Sequence, residues 1–351
     1  MSYIDNIRKV VPYTPGEQPK VEGEIIKLNT NEFPYPPSPM VKEALEALEQ
    51  DVLRLYPNVT AAPLAKAIAE YHGFSEDEVF VGVGSDDVLA NCFLTFFGSD
   101  KPILFPDITY SFYDVWADLY KIPFKMVPLN DNFEIVKEDY YVENGGVVIA
   151  NPNAPTGIEL SLSEIEDIII HNQDSVVIVD EAYVDFGGTS AKELVHKYDN
   201  LIVVQTFSKS RAAAGMRIGY AFGNKILIKY LNDVKFSINS YTMNQMAITS
   251  GIASVNDDKY FKETVTSVIK TREWSKEALI KLGFNVLSSK TNFLFASHKE
   301  KSAKDIFEYL KTKNIYVRYF SKPRIDNYLR ITIGTDEQMK KLIDVLGQYL
   351  G

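Results

Sequence analysis

Between about residue 79 and residue 223 the chain alternates short apolar runs with helix-length amphipathic segments. VFVGVG precedes SDDVLANCFLTFF, PILF precedes SFYDVWADLY, and GGVVIA precedes SLSEIEDIII; VVIVD, LIVVQ and RIGYAF follow. Runs of four to six residues without polar alternation leave no face for water. They predict strands covered by helices on both sides, hence an α/β fold with a mostly parallel sheet. After a helix-rich bridge at about 225–283 the pattern changes. FNVLSS, TNFLFAS, IYVRYF and YLRITIG alternate with helical segments at 302–313 and 336–349, which predicts a smaller α+β unit. The first forty residues are Pro-rich and irregular (VVPYTPGEQPK, EFPYPPSPM), an arm expected to complete that unit. Ser38-Pro39 opens a helix with Met40, Ala44, Leu45 and Leu48 on one face, and another runs from near Thr60 to Gly73. The expected divisions are 1–40 for the arm, 41–250 for the large domain and 251–351 for the small one.

Three of the apolar runs end in polar groups. GGVVIA leads into NPNAPTG, VVIVD into EAYVDF, and LIVVQ into TFSKSRAAAGMRIGY. Ligands of open α/β sheets sit at the carboxyl ends of strands, so Asn153, Asp180, Tyr183, Ser208 and Lys209 are expected to share one crevice with the VGVGSDD turn. Each also has a plainer reading. Asp180 could cap a helix or pair with a surface lysine. GVGSDD could be a strand-to-helix turn with Ser85 as its cap, or half of a dinucleotide fingerprint whose third glycine is replaced by Asp87. Arg217 could be a surface charge and Tyr110 a core ring.

One ligand employs all of them, pyridoxal phosphate. Lys209 forms a Schiff base with its aldehyde, which explains a lysine after a buried strand with no carboxylate beside it. The ring nitrogen needs a carboxylate to stay protonated, and Asp180 supplies one. The phosphate needs hydroxyls, an arginine and a helix N-terminus, which Ser208, Arg217 and the turn at 81–87 provide. Tyr110, after PILF, offers an aromatic face to the ring.

Composition removes other classes. A formal charge of −10 disfavours nucleic-acid binding, and four scattered histidines with one cysteine make no metal cluster. The acidic pairs Asp86-Asp87 and Asp257-Asp258 read as helix-start charges. Lone Cys92 excludes an internal disulfide and fits a reducing cytoplasm. MSYIDNIRKVVPY has no apolar h-region and no run approaches 18 apolar residues, so neither a signal peptide nor a membrane span is expected.

Beyond this chemistry, the sequence resembles the fold-type I pyridoxal-phosphate-dependent aminotransferases, and among them the histidinol-phosphate aminotransferases. The resemblance runs through VVPYTPG, KLNTNEFPYPPS, RLYP, VGVGSDDVL, DITYSFY, NPNAPTG, VIVDEAYVDF, TFSKSRAAAGMRIGY, SKTNFLFA and YLRITIGT. It implies transamination between an amino-alcohol phosphate and 2-oxoglutarate in histidine biosynthesis. Lys209 would be the covalent lysine and proton shuttle, Asp180 the partner of the ring nitrogen, and Tyr183 that of the 3′-oxygen. Ser85, Asp86, Ser208 and Arg217 would hold the cofactor phosphate under a stacked Tyr110, with Tyr56 reaching the neighbouring subunit's site in a homodimer. Arg330 would take the co-substrate carboxylate, and Tyr13, Asn31 and Arg318 the substrate end. One position departs: the family commonly has Asn directly before PTG, where this chain has Ala154, so the 3′-oxygen falls to Asn153 or to Tyr183 alone. The rival readings are an aromatic-amino-acid aminotransferase or phosphothreonine decarboxylase-like enzyme, a nucleotide-dependent oxidoreductase using GVGSDD, and a non-catalytic binding module.

Overall fold

The computed structural model describes residues 2–14, 16–18, 23 and 25–351. In chain order its strands are β1 (Ile26–Leu28), β2 (Val79–Gly82), β3 (Ile103–Pro106), β4 (Phe124–Val127), β5 (Gly146–Ala150) and β6 (Val177–Asp180). β7 (Leu201–Thr206), β8 (Gly219–Gly223), β9 (Phe284–Val286), β10 (Phe293–His298), β11 (Ile315–Tyr319) and β12 (Leu329–Thr332) follow. Seven of them form one sheet in the order β2-β8-β7-β6-β5-β3-β4, in which β8 alone runs against the rest. The other five form the order β1-β11-β12-β10-β9, antiparallel except for β1 beside β11.

Unbroken apolar runs became strands because the large sheet buries both faces. Val147, Ile149, Val177, Val179, Leu201 and Val203 face one core, while Val148, Ile178, Ile202 and Val204 face the other. Successive side chains point to opposite faces, so a sheet sandwiched between helix layers needs an apolar residue at every position. Each such side chain contributes roughly 1.5–3 kcal/mol of burial. Core membership changes after the helix Gln245–Asn256. Its Ala247, Ile248 and Val255 pack with the large sheet, whereas Val265, Val268 and Leu279 of Asp258–Lys281 pack with the smaller one.

Several local expectations shift. β1 lies inside the stretch read as an irregular arm, and edge strand β4, with Lys125 and Met126 exposed, was not expected. In the helix Pro39–Glu46, Met40 points to solvent and Val41 is the buried residue in its place, while Ala44, Leu45 and the following Leu48 are half-buried on the expected face. Ser85 is the first residue of its helix and not its cap; Gly84, at φ +86°, precedes it. The second helix spans Ala62–His72 and stops at Gly73, whose φ of +80° suits a glycine. Among the described residues no helix is long and apolar enough to cross a membrane.

Candidate active site

The carboxyl ends of the parallel strands open into one cleft. Ser85 and Asp86 after β2, Tyr110 after β3, Ala154 after β5, Asp180 and Tyr183 at the end of β6, and Ser208, Lys209 and Arg217 beyond β7 all line it. Thr30 and Glu32, which sequence reasoning passed over, reach it because β1 docks on β11 and carries the following residues across.

Lys209 has no hydrogen-bond or ion-pair partner among the described residues; its Nζ lies 5.6 Å from the centroid of the Tyr183 ring. Asp180 is buried. Tyr113 donates its hydroxyl to Asp180 Oδ2 at 2.8 Å, and the Ala182 N–H approaches Oδ1 at 3.3 Å. Loss of hydration pushes the Asp180 carboxyl up to about 6, against those two bonds. A buried carboxylate with spare basicity, facing a lysine, is suited to hold a proton on a cationic ring nitrogen. The Tyr183 hydroxyl accepts from Asn31 Nδ2 at 2.8 Å, and Asn31 is fixed through Thr332 of β12. Asn31 sits at φ +57°, a left-handed turn that asparagine tolerates.

At the other end of the cleft the chain forms a cradle. Arg217, at φ +55°, donates from Nη1 to Ser208 Oγ at 3.4 Å, and its Nη2 lies 3.6 Å from Asp86 Oδ2. The opening turn of the helix Ser85–Phe96 presents N–H groups that have no acceptor within the helix. β8 comes so close that a Cβ on Gly219 would stand 2.2 Å from the Gly84 carbonyl carbon and 2.3 Å from Ser85 N. A hydroxyl, a guanidinium and a helix N-terminus around glycines fit a phosphate. Tyr110 donates to Asp86 Oδ1 at 2.8 Å, which holds its ring at the side of the cleft. The donor set therefore fits pyridoxal phosphate end to end.

Gly84→Ala tests the cradle. The new Cβ would meet Arg217 Nη2 at 2.4 Å at a φ of +86°. Displacing one charged phosphate contact should weaken pyridoxal phosphate binding about 10–100-fold, and the strained backbone should cost roughly 1–3 kcal/mol of stability. Cofactor titration and thermal melting read the two effects; an unchanged affinity would remove Arg217 from the phosphate site.

Other expected residues are not in this cleft. Asn153 is buried beneath it: Nδ2 donates to Ile108 O at 2.9 Å and Thr156 Oγ1 at 3.0 Å, while Oδ1 accepts from Thr109 Oγ1 at 2.8 Å. Its amide ties the NPNAPTG loop to the segment after β3, and apolar Ala154 lines the cleft instead. Tyr56 is 82% exposed and packs on Tyr241, at 4.6 Å between ring centroids. Arg318 and Arg330 are direct cross-strand partners in β11 and β12, so their side chains share one face. Arg318 lines a neighbouring groove with Tyr13, which stacks on Phe112 at 4.2 Å. Arg330 is desolvated, which lowers its basicity; it donates to Asn29 O at 3.1 Å, and its Nε has no partner. Neither guanidinium meets a carboxylate among the described residues. Tyr113 was also missed, because nothing in SFYDVWADLY marks one aromatic as bonded across 67 residues.

A lysine, a buried acid and a phosphate cradle at the carboxyl edge of such a sheet define a fold-type I, pyridoxal-phosphate-type transferase. The chain belongs to the aminotransferase class I and II family, whose profile matches residues 23–346. It is 52% identical over 350 residues to the histidinol-phosphate aminotransferase of Lactococcus lactis subsp. cremoris, covering 100% of this chain and 98% of that protein. The corresponding enzyme of Acinetobacter baylyi is 52% identical over 347 residues, covering 98% and 96%. Among solved structures, the histidinol-phosphate aminotransferase of Sinorhizobium meliloti in complex with pyridoxal 5′-phosphate has the same fold. Its TM-score is 0.86 at 22% identity, over 93% of this chain and 91% of that one.

Proposed function

We propose that the protein is a pyridoxal-phosphate-dependent histidinol-phosphate aminotransferase, exchanging the amino group reversibly with 2-oxoglutarate in histidine biosynthesis. When bound, pyridoxal phosphate supplies an aldehyde for amine exchange and a ring that takes up the electron pair released at the substrate Cα. Lys209 Nζ would hold the cofactor covalently and, once freed by the incoming amine, would move the proton at the substrate carbon. Asp180 keeps a proton on the ring nitrogen. Tyr183, oriented by Asn31, serves the 3′-oxygen, and Ala154 leaves it without the usual amide beside it. Ser208, Arg217, Ser85 and Asp86 bind the phosphate; the Asp86 carboxylate is engaged by Tyr110 and Arg217, so its N–H is the group on offer.

The substrate reading is supported by the Arg318–Arg330 pair, two guanidiniums on one face that meet no carboxylate among the described residues. Two uncompensated cations require anions, and this reaction brings two: the carboxylate of glutamate for Arg330 and the phosphate of histidinol phosphate for Arg318 and Tyr13. A charge-assisted bond in a closed site is worth roughly 1.5–3 kcal/mol. Arg318→Ala should thus lower kcat/KM for histidinol phosphate by about 10–100-fold and that for histidinol or phenylalanine much less. Equal losses would favour an aromatic-amino-acid aminotransferase. Single-turnover mixing of the cofactor-loaded protein with histidinol phosphate, phenylalanine, tyrosine and phosphothreonine, followed by cofactor absorbance, ranks the substrates directly.

The functional unit in this proposal is a homodimer in which Tyr56 serves the other subunit's phosphate site. Its exposed ring has no role within its own cleft. Mixed Tyr56→Ala and Lys209→Ala chains should then regain roughly a quarter of wild-type activity, since half the dimers are mixed and carry one intact site. Proven subunit exchange without recovery would return Tyr56 to its own chain or to no role.

A further inference from the structure

We propose that Tyr113 is a positioning residue of the reaction, fixing the Asp180 carboxylate from behind and keeping it ionised toward the ring nitrogen. This rests on the aminotransferase reading above, which gives Asp180 its task. Tyr113 does not line the cleft and acts only through Asp180. It is the first residue of the helix Tyr113–Tyr120 and is fully buried, with its hydroxyl 2.8 Å from Asp180 Oδ2. Among the described residues that is the one short bond the carboxylate receives; the Ala182 N–H at 3.3 Å is long. Oδ2 is thus engaged by a residue that does not line the cleft, and Oδ1, with only the long Ala182 contact, keeps lone pairs for what binds there.

The phenol cannot turn aside. Its ring is caged by Phe93 at 6.1 Å, Phe105 at 5.8 Å, Trp116 at 6.3 Å and Tyr110 at 5.7 Å between centroids. The Tyr110 contact is edge-on, so one residue braces both the ring beside the cofactor and the acid beneath it. Nearby groups that bear on Asp180 are Asp86, which disfavours its charge, and Lys209, which favours it. Tyr113 offsets desolvation more than either the Ala182 N–H or Lys209 does. Burial and Asp180 together hold the phenol far above its usual titration range, so it remains a donor at every working pH.

Tyr113→Phe removes one oxygen and leaves the ring packing in place. In cofactor-free protein carrying ¹³C-labelled aspartate, with Asp180→Asn to assign the resonance, the variant should bind a proton at Asp180 at least 10-fold more tightly. In the cofactor-loaded protein, the pH midpoint of cofactor absorbance should move, and kcat should fall about 10–100-fold with little change in KM. Both changes should vanish when Tyr113→Phe is placed on Asp180→Asn. An unmoved Asp180 midpoint, or an equal kcat loss in both backgrounds, overturns the proposal. The cofactor-free measurement stands whatever the substrate proves to be. A wild-type protein that neither binds pyridoxal phosphate nor transaminates would instead sink the functional reading. Should Tyr113→Phe fold poorly, Trp116→Phe, which loosens the same cage without touching the bond, separates packing from positioning: an Asp180 shift of equal size there also overturns it.

Discussion

Replacing Lys209 with alanine is expected to leave a folded protein that has lost about 10⁴-fold or more of its transaminase activity, because in the proposed function one nitrogen carries both the covalent and the proton-transfer role. The fold should tolerate the change. The Lys209 ammonium makes no hydrogen bond or ion pair among the described residues, and its nearest aromatic contact is the Tyr183 ring at 5.6 Å. Deleting an uncompensated cation beside a buried sheet should leave the melting temperature of the cofactor-free protein unchanged or slightly higher, the usual relation between a functional group and its scaffold. Ser208, Arg217 and the Ser85 helix turn are untouched, so pyridoxal phosphate should still bind, now reversibly. Borohydride should fix the cofactor to the wild-type chain and not to the variant, as mass spectrometry reads directly. Near-wild-type turnover in Lys209→Ala would refute the assignment.

Asp180→Asn is expected to give the second-largest loss, about 10²–10³-fold in the chemical step, the range for removing one preorganised electrostatic partner. Cofactor affinity should change far less, because the phosphate contacts lie at the other end of the cleft. Stability should respond with the opposite sign. In the cofactor-free protein, burial raises the Asp180 carboxyl from its ordinary 3.8 to about 6. The fold therefore favours the protonated form. That contribution is complete below about pH 4 and is lost as pH rises through 6, by at most about 3 kcal/mol for two pH units. Glu181, which burial pushes up to about 7, is present in both proteins and cancels from the difference. Above pH 7 the cofactor-free Asn variant should melt no lower than wild type, and between about pH 4 and 6 its melting temperature should depend less on pH. A steep fall in cofactor affinity with an unchanged chemical step would make Asp180 a structural group.

The cleft was legible where chemistry follows a strand end directly. VVIVD, LIVVQ and VFVGVG stop at Asp180, shortly before Lys209 and shortly before Ser85, and a parallel sheet brings its carboxyl ends to one edge whatever the loop details. Asn153 shows the limit of that rule. It also follows a strand end, yet its amide is taken up by Ile108 and Thr109 of the segment after β3 and by Thr156 of its own loop. Position along the chain predicts which edge a residue reaches and says nothing of which hydrogen bonds compete for it. Tyr113 fails in the other direction. Its helical context reads as core, and only the tertiary placement of the helix's first residue beside the end of β6 turns a core ring into a donor for Asp180.

The sequence by itself determined the class of sheet, the strand edge that carries the chemistry, and the cofactor. Unbroken apolar runs demand two buried faces, and a lysine with an acid and a phosphate-binding turn admits few ligands. Tertiary structure alone decided what stands around them. β1 leaves the arm to pair with β11, and this brings Asn31 to the Tyr183 hydroxyl across 152 residues. The register of β11 with β12 sets Arg318 opposite Arg330, and the approach of Gly219 to Gly84 closes the phosphate cradle. These are contacts between segments whose local patterns are independent of each other. No period or motif encodes them, because they arise from burying several apolar faces at once, and that sum is taken only when the whole chain folds.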